Sequence, residues 1–436
     1  MKGRGKYKAG SSAALSVGIL SLGCPRNLVD SESILGRLKN KGYSLVDINK
    51  AQVVIVNTCA FIEDAKRESV DAVLDVIDLK KRGKLKKIIV YGCLSQRYHK
   101  ELLEELPQID AVVGRISLDR DVGRASITPR HYAYLKICEG CINNCSYCVI
   151  PRIKGKFSSL DVNSIVKKAE ALNRQGVREL NIIGQDITGY GIDLYKAPKL
   201  TGILKKVVKI ATDVKWIRLL YLYPSRVTGE LIKIIRDEPK ICKYIDLPIQ
   251  HINDRILNLM RRQTTREEIF RLVDKIRKQI PRVAIRTSLI VGFPSESDKE
   301  FQELLEFIKE VKFERLGAFI YSREEGTQAS RFPGQIPKET KLARFDAVMS
   351  CQQQISREVN QGFLAKTMDV LIDERAVSHC SVARDNSGVY LGRSQYDAPE
   401  VDGLVYVKSK RQLKAGDFVQ VKITDSWEYD LIGEAA

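Results

Sequence analysis

CEGCINNCSYCVIP, residues 138–151, places Cys138, Cys141, Cys145 and Cys148 within eleven residues. Thiolates are soft ligands, and the spacing C-x₃-C-x₂-C from Cys141 suits an iron–sulfur cluster held on a loop. A zinc site of paired cysteines needs a second distant pair, and none is visible. Four thiolates would close the site to everything but electrons, whereas three leave one iron open to a substrate. Cys138 ends the apolar run YAYLKI (132–137) and reads as a core thiol, which leaves three ligands. That run opens a series of βα units from about 131 to 350. RELNIIG (178–184), WIRLLYL (216–222), KYIDLPI (243–249), VAIRTSLIVGF (283–293) and FERLGAFIY (313–321) follow it, separated by helical patterns such as SIVKKAEALNRQG and FQELLEFIKEVK. Six such units predict a partial (β/α) barrel, with its site at the carboxyl ends of the strands.

Upstream, LSVGILSL (15–22), VVIVN (53–57) and KIIVYG (87–92) read as buried parallel strands, with helices SESILGRLKNKG and EDAKRESVDAVLDVIDLKKRG between them. Cys24, Cys59 and Cys93 each follow one of these strands, about one βα unit apart. The ends of parallel strands line up at one sheet edge, where ligands bind, so three thiols distant in sequence converge there. Buried core cysteines are the plain alternative. Downstream, MDVLIDE, SVARD, GVYLGRS, GLVYVKS and DFVQVKITDSW are short strands with turn residues between them, which predicts a small antiparallel OB-like barrel. The expected organisation is a basic tail (1–14), an α/β domain (15–122), a linker around 117–129, the barrel domain (131–360) and the small β-barrel (364–436).

The 436 residues exceed one ordinary core, and 44% apolar with 29% charged residues describes a globular chain. No apolar run reaches the ~18–20 residues of a membrane span, and the basic start lacks the apolar core of a secretory signal. Ten cysteines without such a signal point to a reducing, cytoplasmic setting and to metal or core roles. The net charge is +18, unevenly spread. From Lys366 to Ala436, nine Lys and Arg face twelve Asp and Glu, a net of −3, so the preceding residues carry +21.

On these residues the chain resembles the radical S-adenosylmethionine (SAM) enzymes, whose signature is C-x₃-C-x₂-C with an aromatic residue before the last cysteine, here Tyr147. The resemblance implies a [4Fe–4S] cluster on Cys141, Cys145 and Cys148, open at one iron to SAM, and a 5′-deoxyadenosyl radical. A radical is the chemical answer to an unactivated C–H bond, which offers no acidic proton to a base. Over nearly its whole length the chain is similar to the methylthiotransferases, a radical SAM family with an N-terminal α/β domain and a C-terminal TRAM domain. That likeness implies a second [4Fe–4S] cluster, on Cys24, Cys59 and Cys93, taking part in sulfur delivery. Tyr147, Gln185, Asp186 and Arg286 are the expected SAM contacts, and flavodoxin or ferredoxin the expected electron donor.

Two branches of the family compete. One modifies isopentenyladenosine in tRNA; the other modifies an aspartate of the twelfth small-subunit ribosomal protein. SLGCPRNLVDSE (21–32), LPIQHINDRILNLMRR (247–262) and GRSQYDAPEVDG (392–403) resemble the ribosomal-protein branch, with Cys24-Pro25 and Gln250-His251 as the distinguishing pairs. The charge split agrees: a tRNA grip should be basic, and an acidic tail domain suits a basic ribosomal protein on or off the ribosome. A closed-cluster electron-transfer or RNA-binding module is the alternative from another class. His251 stands open between an active-site and a structural role, and Cys242, Cys351 and Cys380 read as buried thiols.

Overall fold

The computed structural model describes residues 15–83, 85–114, 123–376 and 388–436. Its contacts divide the chain into two compact units, Met1–Ile127 and Thr128–Ala436.

In the first unit, β1 (Ser16–Ser21), β2 (Ser44–Leu45), β3 (Val53–Thr58), β4 (Lys87–Gly92) and β5 (Ala111–Val113) form one sheet in the order β2-β1-β3-β4-β5. Every pairing is parallel. The central strand β3 is buried along its whole length, as a strand covered on both faces must be. Helix α1 (Pro25–Asn40) begins six residues before the expected SESILGRLKNKG pattern. Proline at the first helical position forfeits only an N–H that has no partner there, and Cys24 in extended conformation is the N-cap. Helix α2 (Glu63–Lys81) opens with Glu63 and Asp64 and closes with Lys80 and Lys81, matching the helix dipole. Helices α3 (Cys93–Arg97) and α4 (His99–Glu105), like β2 and β5, are too short for their periodicity to show in the sequence.

In the second unit, β6 (Tyr132–Lys136) is followed by a two-residue ribbon, β7 (Cys138–Glu139) with β8 (Ser158–Ser159). Then come β9 (Glu179–Ile183), β10 (Trp216–Leu219), β11 (Tyr244–Asp246), β12 (Ala284–Val291) and β13 (Arg315–Ile320). They form parallel sheets β6-β9-β10 and β11-β12-β13. The Ile217–Ile241 bridge and the Leu222 N–H on the Asp246 carbonyl join the two sheets. No pairing joins β6 to β13 among the described residues, so the barrel is partial. Capping boxes at Thr265/Glu268 and Ser297/Glu300 start two of its helices.

The helix Lys338–Gln361 leads to five strands: β14 (Thr367–Arg375), β15 (Gly388–Ser394), β16 (Val405–Ser409), β17 (Phe418–Ser426) and β18 (Leu431–Ala435). They close in the order β14-β15-β16-β18-β17 around Val370, Ile372, Val405, Val407, Val421 and Ile423. One pairing, β16 with β18, is parallel, so the barrel is not wholly antiparallel as expected. SVARD, read as a strand, and Cys380 lie outside the described residues.

The segment Arg393–Asp402 reaches into the amino-terminal end of the large barrel. Arg393 meets Glu179 of β9 at 2.6 Å and Asp373 of β14 at 2.8 Å, and Arg218 of β10 meets Glu179 at 2.9 Å. His131 Nε2 lies 2.7 Å from Asp373, Arg315 2.9 Å from Asp397, and the Tyr132 and Tyr244 hydroxyls donate to Glu400 and Asp402. Glu179 and Arg218 are fully buried, so each charge there depends on its partner.

Candidate functional site

The carboxyl ends of β1, β3 and β4, adjacent in the sheet, bring Cys24, Cys59 and Cys93 to one edge. Asn27, 1% exposed, is the hub. Its amide donates to the carbonyls of Leu22 and Thr58, and its Oδ1 accepts from the Cys93 thiol at 3.7 Å. Gly23, at φ +83°, carries no Cβ where the Cys59 sulfur packs. Arg26 Nε lies 3.4 Å from Cys24 Sγ. Burial, and then the neighbouring Cys24, push the Cys59 thiol above its ordinary value. The Cys59 thiol does not favour ionising unaided, and bound positive charge supplies what it lacks. Cys93 is the first residue of a helix rather than a loop residue.

The second set lies on the loop after β6. The Asn143 backbone N–H and side-chain Nδ2 stand 3.4 and 3.3 Å from Cys141 Sγ, and Arg262 Nη1 stands 3.7 Å from Cys145 Sγ. Donors aimed at sulfur are what a cluster's thiolates use. Among the described residues no three potential ligands lie close enough to share a single metal ion. Three thiolates on one loop, with N–H donors aimed at two of the sulfurs, are a donor set that fits an iron–sulfur cluster. Cys138 is fully buried in the space left by Gly184, and its thiol donates to the Asp186 carbonyl at 3.7 Å.

The remaining predicted residues divide. Gln185 sits just beyond β9 with both amide atoms buried and unpartnered, and Asn181, on the inner face of β9, is in the same condition. Paired orphan donors and acceptors in a barrel interior point to a polar ligand. Asp186, in contrast, is committed within the protein: it accepts from Asn143 at 2.8 Å, from Thr188 and from Arg226. Tyr147 packs with Ile256, Met260, Phe293 and Tyr321. Arg286 lies near the other end of the strands, 3.3 Å from Asp246 and 3.4 Å from Asp402, and ties the two barrels together. His251 is fully buried, with Nδ1 accepting from the Asn253 N–H at 3.0 Å.

Asn27, Asn143 and Arg262 carry no sequence signal, because the fold alone brings them to the sulfurs. Two left-handed non-glycine residues, Tyr221 (φ 65°) and Gln250 (φ 81°), mark the ends of β10 and β11. Such conformations cost energy and cluster at functional sites.

Residues 16–114 match the family model described as uncharacterized protein family UPF0004, 135–308 the radical SAM superfamily, and 365–436 the TRAM domain. The ribosomal protein uS12 methylthiotransferase RimO of Clostridioides difficile is 47% identical over 96% of this chain and 98% of its own. The chain belongs to the RimO methylthiotransferases. The RimO protein of Caldanaerobacter subterraneus subsp. tengcongensis is 48% identical over 96% of this chain and 99% of its own. Among solved structures, the radical S-adenosylmethionine methyltransferase TsrM from Kitasatospora setae, holding cobalamin and a [4Fe–4S] cluster, gives a TM-score of 0.54 at 14% identity. That match covers 72% of this chain and 77% of that one. It shares the fold with this RimO-family chain. No described helix is long and apolar enough to cross a membrane.

Proposed function

We propose that this enzyme attaches a methylthio group to the β-carbon of an aspartate in ribosomal protein uS12. The observation that carries the reading is 47–48% identity, over 96% of this chain, to chains named for action on that protein. Two sets of three cysteines support it. Cys141, Cys145 and Cys148 would hold one [4Fe–4S] cluster, and Cys24, Cys59 and Cys93 another. With S-adenosyl-L-methionine bound, such a cluster supplies the electron and the carbon radical that break an unactivated C–H bond.

The protein's own groups do the positioning. Asn143 and Arg262 direct N–H groups at the sulfurs of Cys141 and Cys145. Gln185 offers a buried donor and acceptor to the polar groups of S-adenosyl-L-methionine, and Tyr147 a flat face to its adenine. Asp186 serves indirectly, by fixing Asn143 and Arg226. On this reading residues 15–122 carry the second cluster, 131–360 the radical chemistry, and 364–436 an acidic domain that grips a basic protein. Flavodoxin or ferredoxin supplies electrons in the cytoplasm, where thiols stay reduced.

Cysteine variants test the division of labour. Cys145→Ala should abolish both 5′-deoxyadenosine formation and methylthio transfer. Cys59→Ala should keep 5′-deoxyadenosine formation, lose about half the bound iron and lose methylthio transfer. Methylthio transfer at the normal rate by Cys59→Ala would overturn the assignment.

A further inference from the structure

Buried cations in this chain come with carboxylates. Lys136 and Lys154 share Glu139, and Arg218 and Arg393 share Glu179. Arg315 meets Asp397, and Arg344 meets Glu296. Among the described residues Arg262 is the exception: it is buried, 9% exposed, and pairs with no carboxylate. It lies just before the helix that the Thr265/Glu268 capping box starts. Its Nη1 stands 3.7 Å from Cys145 Sγ, its Nη2 donates to the Pro248 carbonyl, and its Nε has no partner. Its Cζ lies 4.1 Å from the centroid of the Tyr223 ring. The groups that act on its charge are Cys145 and the phenols of Tyr147 and Tyr223.

A buried charge without a counter-charge is costly, so such charges are normally paired. Arg226, on the same Tyr223 ring at 4.4 Å, follows that rule through Asp186. Arg262 is left to be neutralised by something other than a protein carboxylate, and its one contact able to carry negative charge is the Cys145 sulfur. Pro248 and Tyr223 hold the guanidinium there, so no reorganisation is needed when negative charge arrives.

We propose that Arg262 is the counter-ion of the cluster held by Cys141, Cys145 and Cys148, and that its fixed charge raises that cluster's reduction potential. The proposal rests on the cluster reading above. In the step concerned, an external one-electron donor is oxidised and the cluster takes up the electron; no bond forms or breaks, and one negative charge is added. A fixed cation beside a thiolate sulfur, away from water, favours the more negative state. Arg262 acts through the cluster, as a positioning residue.

The test uses full-length protein in the Cys59→Ala background, which keeps only this cluster. Parent, Arg262→Gln and Arg262→Lys are reconstituted without SAM and titrated anaerobically with dithionite, the reduced cluster being read by electron paramagnetic resonance. At the parent's midpoint, Arg262→Gln should show an about tenfold lower reduced-to-oxidised ratio, a shift of about 59 mV to lower potential for a one-electron couple. Arg262→Lys, which keeps the charge, should return most of that shift. A second measurement does not depend on the titration. Arg262→Met should raise the thermal midpoint of the cluster-free protein, where the charge is uncompensated, and lower that of the cluster-loaded protein. An unchanged potential in Arg262→Gln overturns the proposal. So does a shift that appears only when SAM is added, which would assign Arg262 to the cofactor's carboxylate. Equal losses of stability in both states overturn it too, since a merely structural arginine gives that result. Failure of the parent to assemble any cluster on Cys141, Cys145 and Cys148 would overturn the cluster reading along with the proposal.

Discussion

Asn143 and Arg262 show how far a cysteine motif depends on residues outside it. Removing the Asn143 side chain deletes one of the two N–H donors on Cys141, so Asn143→Ala should lower the reduction potential of the cluster held there. A redox titration followed by electron paramagnetic resonance reads this, and an unchanged potential would contradict it. Cys138→Ala should leave that cluster's iron content intact and cost on the order of 1 kcal/mol of stability, as a small core deletion does. His251 gives a pH prediction. Burial lowers its pKa from 6.5 to about 3, so the folded chain stays neutral there while the unfolded chain takes up a proton. Stability should fall as pH drops from 6.5 toward 3, by at most about 1.4 kcal/mol per unit from this group, and His251→Gln should flatten that slope in denaturant titrations. The placement of Cys24, Cys59 and Cys93 after adjacent strands, and of Cys141, Cys145 and Cys148 on one loop, was legible in the sequence because cysteine spacing and strand ends are local features. Asn27, Asn143 and Arg262 were not, because their roles exist only after loops from different strands meet.

At the scale of elements, the segment Arg393–Asp402 has a structural task that its resemblance to one branch did not reveal. It closes the amino-terminal end of the large barrel with buried ion pairs, and it makes the small barrel part of the same unit. Arg393→Met should cost about 3–5 kcal/mol in chemical denaturation, because Glu179 and Asp373 lose a buried partner. A loss below about 1 kcal/mol would show that the two carboxylates find other partners. The strands of the two parallel sheets of the large barrel could be read from apolar runs, since a strand buried on two faces has little room for polar residues. Strand β10 proved shorter than its run, because residues 220–222 continue past the ladder toward the left-handed Tyr221. Helix α1 began earlier than its amphipathic pattern because Pro25 sets the first turn, which periodicity does not register.

For the whole molecule, the uneven charge supports the functional argument. An acidic tail domain suits a basic protein substrate. Net charge by segment was visible in the sequence. The most direct measurement offers both branch substrates at once. Cluster-reconstituted protein, S-adenosyl-L-methionine, a reductant and a sulfide source would be incubated anaerobically with uS12 and isopentenyladenosine-containing tRNA in one tube, and both read by mass spectrometry. The account predicts a methylthio mass gain on an aspartate of uS12 and none on the tRNA. A gain on the tRNA alone would contradict it.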